Sequence, residues 1–243
     1  MAVAFFDLDR TLFALNSGAL WIRREVAERH ITRWNAAQAA CYLLAYSVGL
    51  VSLERAILRA IGTLKGSRAS ALQARTRDFF LSYLRQMYRP GALAALDRHR
   101  SSGDLCVLLT ASPSYLAALV AEDLGLDGYL CTEFEVDEAG IHTGRPRGTP
   151  CFGAGKLDHA REFARQARVA LEQCAFYTDS YSDLPMLEAI GKPVAVNPDQ
   201  RLRREAVRRG WPVVDWGFPG QSPPSPSPGS DLEVAPPSLP ASP

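Results

Sequence analysis

A four-residue apolar run at the start of the chain, Val3-Ala4-Phe5-Phe6, leads directly into Asp7-Leu8-Asp9-Arg10-Thr11. An apolar run this short, closed at once by acidic residues, reads as a buried strand and is too short for an independent helix. In open α/β sheets, chemistry lies just beyond the carboxyl ends of such strands. If the chain continues extended, the period of two puts Asp7 and Asp9 on the same side. Two carboxylates held that close call for a cation or a shared proton. The same residues also suit a plain polar turn, with Asp9 and Thr11 capping a helix.

The pattern recurs further along. Residues 105–109 form a second apolar run, ending in Thr110-Ala111-Ser112. A third, Ala175-Phe176-Tyr177-Thr178, runs into Asp179-Ser180-Tyr181-Ser182-Asp183. Between them, helices are expected from Pro90 to about Ser102, from Ser114 to Leu124 with a stop at Gly125, from Lys156 to about Leu171, and over residues 184–190. Residues 129–136 and 141–143 flank Asp137-Glu138-Ala139-Gly140, a hairpin signal. Residues 193–196 read as the next strand. This alternation over residues 1–15 and 90–216 predicts an α/β fold, a Rossmann-like parallel sheet core with helices on both faces. Residues 16–89 carry no strong strand signal and read as helical throughout. No internal repeat is evident.

Four segments, in order, resemble the four motifs of the haloacid dehalogenase-like phosphohydrolases. Asp7-Leu8-Asp9-Arg10-Thr11 resembles the first, the strand ending in Thr110-Ala111-Ser112 the second, Gly153-Ala154-Gly155-Lys156 the third, and Asp179 with Asp183 the fourth. With only three lysines in the chain, a chance match at Lys156 is less probable, although Lys156 also suits the start of a surface helix. The resemblance implies that residues 16–89 are an inserted all-helical cap, which points to the phosphoserine phosphatase-like branch, subclass IB. It further implies that Asp7 is the nucleophile, Asp9 the general acid and base, Thr110 a phosphoryl-binding hydroxyl and Lys156 a charge-balancing cation. Mg2+ is the implied cofactor, held by Asp7, Asp9, Asp179 and Asp183, the last through water. Thr11, Asn16, Ala111 and Ser112 are the implied substrate contacts, with capping an equal reading for Thr11. The expected partner is a small phosphorylated metabolite.

The chain departs from phosphoserine phosphatases in three places. Arg10 replaces a small residue, and Thr110-Ala111-Ser112-Pro113 replaces Ser-Gly-Gly. Asn16 stands where those enzymes place the Glu that holds the substrate ammonium. A buried ammonium without a counter-charge is costly, so phosphoserine is not the expected substrate.

Charge is unevenly distributed. Residues 16–89 hold eleven Arg and one Lys against three Glu and one Asp, although the whole chain carries only +1. A basic lid over an acidic floor would attract anions; a solvated arginine-rich surface is the plainer reading. The five cysteines are unpaired in pattern, with no CxxC, and with no signal peptide in view they fit a reduced, cytoplasmic setting. Residues 36–53 are apolar but broken by polar residues and fall short of the ~20 a membrane span needs. The four histidines show no ligand spacing. Residues 217–243 read as a disordered Pro/Ser-rich tail, since 219–243 hold nine of the 17 prolines and no Lys or Arg. Two alternatives stay open: phosphoryl transfer to an acceptor on the same fold, and a non-catalytic protein binding anions through its basic cap. The second gives no reason to keep mutually repelling carboxylates, so no nucleic-acid partner is expected.

Overall fold

A computed structural model describes residues 1–30 and 53–221. The N-terminal apolar run is β1 (Val3–Phe6), the central strand of a seven-stranded sheet. The others are β2 (Leu105–Pro113), β3 (Gly128–Val136), β4 (His142–Arg147), β5 (Ala175–Thr178), β6 (Lys192–Val196) and β7 (Val213–Val214), in the order β4-β3-β2-β1-β5-β6-β7. All neighbours pair parallel except β3 and β4, the expected hairpin. In its turn Asp137 Oδ1 accepts from the amides of Ala139 and Ile141.

The alternation of side chains along β1 builds two cores. Ala4 and Phe6 join one buried cluster with Leu108, and Val3 and Phe5 join another with Val107 and Leu109. The first is covered by α4 (Pro90–Ser101), through Ala92, Ala95 and Leu96, and by α5 (Ser114–Leu124), through Leu116, Ala117 and Val120. The second is covered by α6 (Ala154–Gln166), α7 (Leu184–Ala189) and α8 (Gln200–Arg209). Helices therefore lie on both faces, as the strand–helix alternation requires. Gly125 ends α5 in the left-handed conformation at φ +60°, which glycine adopts without strain.

Between β1 and β2 stand α1 (Ser17–Ala27), α2 (Leu53–Gly62) and α3 (Ala69–Phe79), then a single wide turn, Phe80–Leu84. Phe79, Phe80 and Leu84 are buried in the first core beside Leu12 and Phe13. The turn before α3 is tied to the β3–β4 hairpin by three main-chain bonds: Gly66 N to His142 O, His142 N to Ser67 O and Ala69 N to Gly140 O, each 2.9 Å.

Several sequence expectations need correction. Residues 16–89 are not helical throughout, because 85–86 form a turn, 87–89 lie outside any helix and Tyr88 bridges Phe13 antiparallel. The helix at Lys156 ends at Gln166, well short of Leu171, since Arg168 turns left-handed at φ +56° and residues 171–173 make a separate short turn. β7 was not anticipated; two residues carry too little pattern. Gly217 and Phe218, assigned to the tail, contact Arg89. Most of the apolar stretch 36–53 and residues 222–243 lie outside the described residues. No helix among the described residues is long and apolar enough to cross a membrane. The four described cysteines are free and buried.

Candidate active site

β1 lies where the chain reverses direction across the sheet, going outward through β2–β4 on one side and β5–β7 on the other. That switch point opens a crevice at the carboxyl ends of the strands. Asp7 stands there. Its amide donates to Tyr177 O at 2.9 Å, extending the ladder with β5 by one residue past β1. The chain then leaves the sheet: Asp9 is extended, Arg10 is left-handed at φ +59°, and a single turn closes with Phe13 N on Leu8 O at 2.9 Å.

Asp9 is steered by the first helix of the cap. Its Oδ1 accepts from Ser17 N at 2.6 Å. Asn16 caps the same helix, with its Oδ1 accepting from Ala19 N at 2.7 Å. The Asn16 amide oxygen is thus engaged by α1, a capping role absent from the sequence expectation. Thr11 is fully buried and its hydroxyl has no partner among the described residues, so it makes no capping bond.

Lys156 enters from the start of α6. Gly155 permits this approach, because a Cβ there would sit 2.1 Å from Pro150 O. The ammonium is buried and donates to Asp7 Oδ1 and Asp183 Oδ2, both at 2.8 Å. Thr178, the last residue of β5, donates its hydroxyl to the same Asp183 oxygen at 2.7 Å. Thr110 lies in β2 at the same edge, 2 % exposed, its hydroxyl accepting from Ser112 N at 3.1 Å. Ala111 and Ser112 are partly exposed beyond it.

Asp179 follows β5 and is 6 % exposed. Among the described residues, no group donates a hydrogen bond to its carboxylate. Burial, then the charges of Asp7 and Asp183, push it up to about 8 against the opposing pull of Arg10 and Lys156. Burial likewise pushes Asp7 up to about 7, with Lys156 opposing and Asp183 and Asp9 adding to the rise. Burial also raises Asp9, against the Ser17 bond. For Lys156, burial works to lower the value, but Asp183 and Asp7 outweigh it and hold the ammonium charged.

Four carboxylates thus face one lysine in a low-dielectric site. The chemistry of this donor set suits a small divalent cation with oxygen ligands. Glu25, Glu28 and His30 also lie close together in the cap, but Arg24 and Arg75 already pair with the two glutamates.

Sequence reasoning missed three supporting residues. Thr178 is one; its only signal is its place directly before Asp179. Asp199 is another: it accepts from Tyr181 N at 2.9 Å, and its amide donates to Asp179 O at 2.9 Å, fixing the loop that carries both acids. The third, Arg89, donates to Arg10 O at 3.1 Å.

The sequence model of the family described as "haloacid dehalogenase-like hydrolase" matches residues 4–188. Phosphoserine phosphatase SerB1 of Mycobacterium tuberculosis is 35 % identical over 223 residues, 88 % of this chain and 71 % of that protein. The histidinol-phosphatase of Neisseria meningitidis is 27 % identical over 221 residues, 88 % of this chain and 98 % of that one. A crystal structure of a Bordetella pertussis protein of unknown function superposes with a TM-score of 0.80 at 32 % identity, covering 88 % of this chain and 98 % of its own.

Proposed function

The chain belongs to the haloacid dehalogenase-like hydrolase family and its phosphatase branch, and from that premise we propose a Mg2+-dependent hydrolase of small phosphomonoesters. The observation that carries the proposal is Lys156 bridging Asp7 and Asp183 beside a buried Asp179 whose carboxylate has no hydrogen-bond donor among the described residues. Lys156 holds Asp7 Oδ1, so Oδ2 is the atom left to attack phosphorus. As the Asp7–phosphorus bond forms and the ester P–O bond breaks, Asp9 gives its proton to the departing oxygen. Asp9, now a carboxylate, takes a proton from the water that attacks the aspartyl-phosphate, and phosphate leaves with Asp7 regenerated. Thr110 and Lys156 supply hydrogen bonds and charge to the phosphoryl oxygens. Asp7, the Asp9 carbonyl and Asp179 would hold the Mg2+, with Asp183 behind them; the ion, when bound, neutralises phosphoryl charge.

Substrate choice rests on the cap. The relatives' names couple this fold to phosphoserine and histidinol phosphate. Here the position expected to hold an ammonium is Asn16, neutral and engaged as a helix cap. That supports a leaving group that is neutral, acidic or partly apolar. The test is a panel of phosphomonoesters with Mg2+ on wild type and Asn16→Glu. Wild type should favour other members over phosphoserine, and the variant should shift kcat/KM toward phosphoserine by about 10-fold or more, the effect of a restored charge pair. A wild-type preference for phosphoserine above ten-fold over every other member would defeat this specificity.

A further inference from the structure

Arg89 is a buried guanidinium, 4 % exposed, outside the four motifs. It joins three segments. Its main-chain amide donates to Leu12 O at 2.9 Å, next to the Ala14 N–Met87 O bond of 2.9 Å, so that the strands entering and leaving the cap run side by side. Its Nε donates to Arg10 O at 3.1 Å, the carbonyl of the left-handed residue directly after Asp9. Its Nη1 donates to Gly217 O at 2.5 Å, and its guanidinium lies 4.9 Å over the ring of Phe218.

The C-terminal segment at the far end of this bridge is itself fixed. Trp216 is buried, with its carbonyl accepting from Gly91 N at 3.0 Å and its amide donating to Asn197 Oδ1 at 3.0 Å. Its ring lies 5.2 Å from that of Tyr177, which stacks on Phe6 at 4.9 Å. The fork of a guanidinium suits two carbonyls at once, and the single ammonium of lysine cannot reproduce it.

Asp9 is therefore restrained from both sides, its carboxylate by Ser17 N in the cap and the carbonyl of the next residue, Arg10, by Arg89. We infer that Arg89 is a positioning residue for Asp9, clamping the catalytic loop to the cap's return strand and the C-terminal segment so that the acid sits at the departing oxygen. This rests on the phosphomonoesterase reading above. Asp9 gives its proton as the ester P–O bond breaks, so an alkyl leaving group with a basic oxygen depends on its placement. A nitrophenolate departs without that proton.

The test compares full-length wild type, Arg89→Gln and Arg89→Lys on the best alkyl phosphomonoester of the panel and on p-nitrophenyl phosphate, together with amide hydrogen exchange over residues 8–16. In Arg89→Gln, kcat should fall about 30-fold or more on the alkyl ester and no more than about 3-fold on the aryl one, with KM little changed, as loss of placed acid catalysis requires. Arg89→Lys should fall between, and exchange over 8–16 should quicken in both variants. Equal losses on the two substrates, or no loss, would overturn the assignment. If Arg89→Gln fails to fold, Arg89→Lys must still show the leaving-group asymmetry. A wild type inactive on every ester would strike the phosphatase reading instead, and unchanged exchange over 8–16 would then by itself dismiss the clamp.

Discussion

The floor of the site and the cap above it both carry dense charge, and they use it in opposite ways. On the floor, Asp7, Asp179, Asp183 and Lys156 are each less than 10 % exposed. There the local dielectric is low, and each charge moves its neighbours' pKa values. In the cap, several of the described arginines meet solvent. Arg24 pairs with the exposed Glu28, while Arg23, Arg29 and Arg77 are exposed. Such pairs contribute little and are screened by salt. The lesson is that the cap's larger net charge is the weaker determinant: a few buried groups set the chemistry, and the many solvated ones shape only the field around it.

The sharpest way to break this contrast is at Asp7, the proposed nucleophile. Asp7→Asn should lower kcat by about 10⁴-fold or more, the scale on which losing a nucleophile acts, while the protein stays folded by circular dichroism. Near-normal turnover in that variant would remove Asp7 from the mechanism. Lys156→Met comes next, because it leaves Asp7 and Asp183 buried without their cation. Urea denaturation should show a loss of about 3–5 kcal/mol, against about 0.5 kcal/mol or less for the exposed Arg77→Ala. Similar losses for the two would erase the distinction between floor and cap.

A third experiment reads the floor through pH. In a chelator, Asp7 rises from 3.8 to about 7 and Asp179 from 3.8 to about 8 in the folded state. A folded-state value above the unfolded one means that the native protein binds more protons. The stability it contributes is complete below about pH 4 and is lost as pH climbs through 7 to 8. Once the other groups are held constant by comparison with Asp179→Asn, the melting temperature should fall between pH 5 and pH 8, and Mg2+ at pH 8 should restore it. A chelated wild type no more pH-sensitive than the variant would speak against an uncompensated floor. The smallest effect is expected from the cap. Reversing Arg23 and Arg77 to Glu should lower kcat/KM for an anionic ester about 2–5-fold at low ionic strength and hardly at all at high salt. A loss that persists in high salt would mean that these arginines touch substrate.

Much of the site was legible because each motif residue sits directly at the end of an apolar strand. Once β1, β2 and β5 are recognised, the alternation of strands with helices puts them in one sheet, and their ends bring Asp7, Thr110 and Asp179 together. Lys156 was readable only through the family resemblance, since a place at a helix start equally suits a surface lysine. The role of Asn16 was not: whether its oxygen faces a ligand or its own helix depends on where Ser17 begins α1. The end of α6 was also misplaced, because Arg168 makes a left-handed turn that hydropathy does not record.

The sequence by itself determined the class of fold, the order of the motifs and which charged residues stand at the strand ends. Those depend on short-range patterns, an apolar run and the residues that follow it. Only the tertiary structure decided how the floor is held in place. Thr178 on Asp183, Asp199 beneath the Asp179 loop, and Arg89 between Arg10 and Gly217 are contacts whose partners are named by packing. Arg89 reaches across 79 residues in one direction and 128 in the other. No periodicity in the chain encodes such a pairing; it exists only once the cap's return strand and the C-terminal segment have been folded against the same loop.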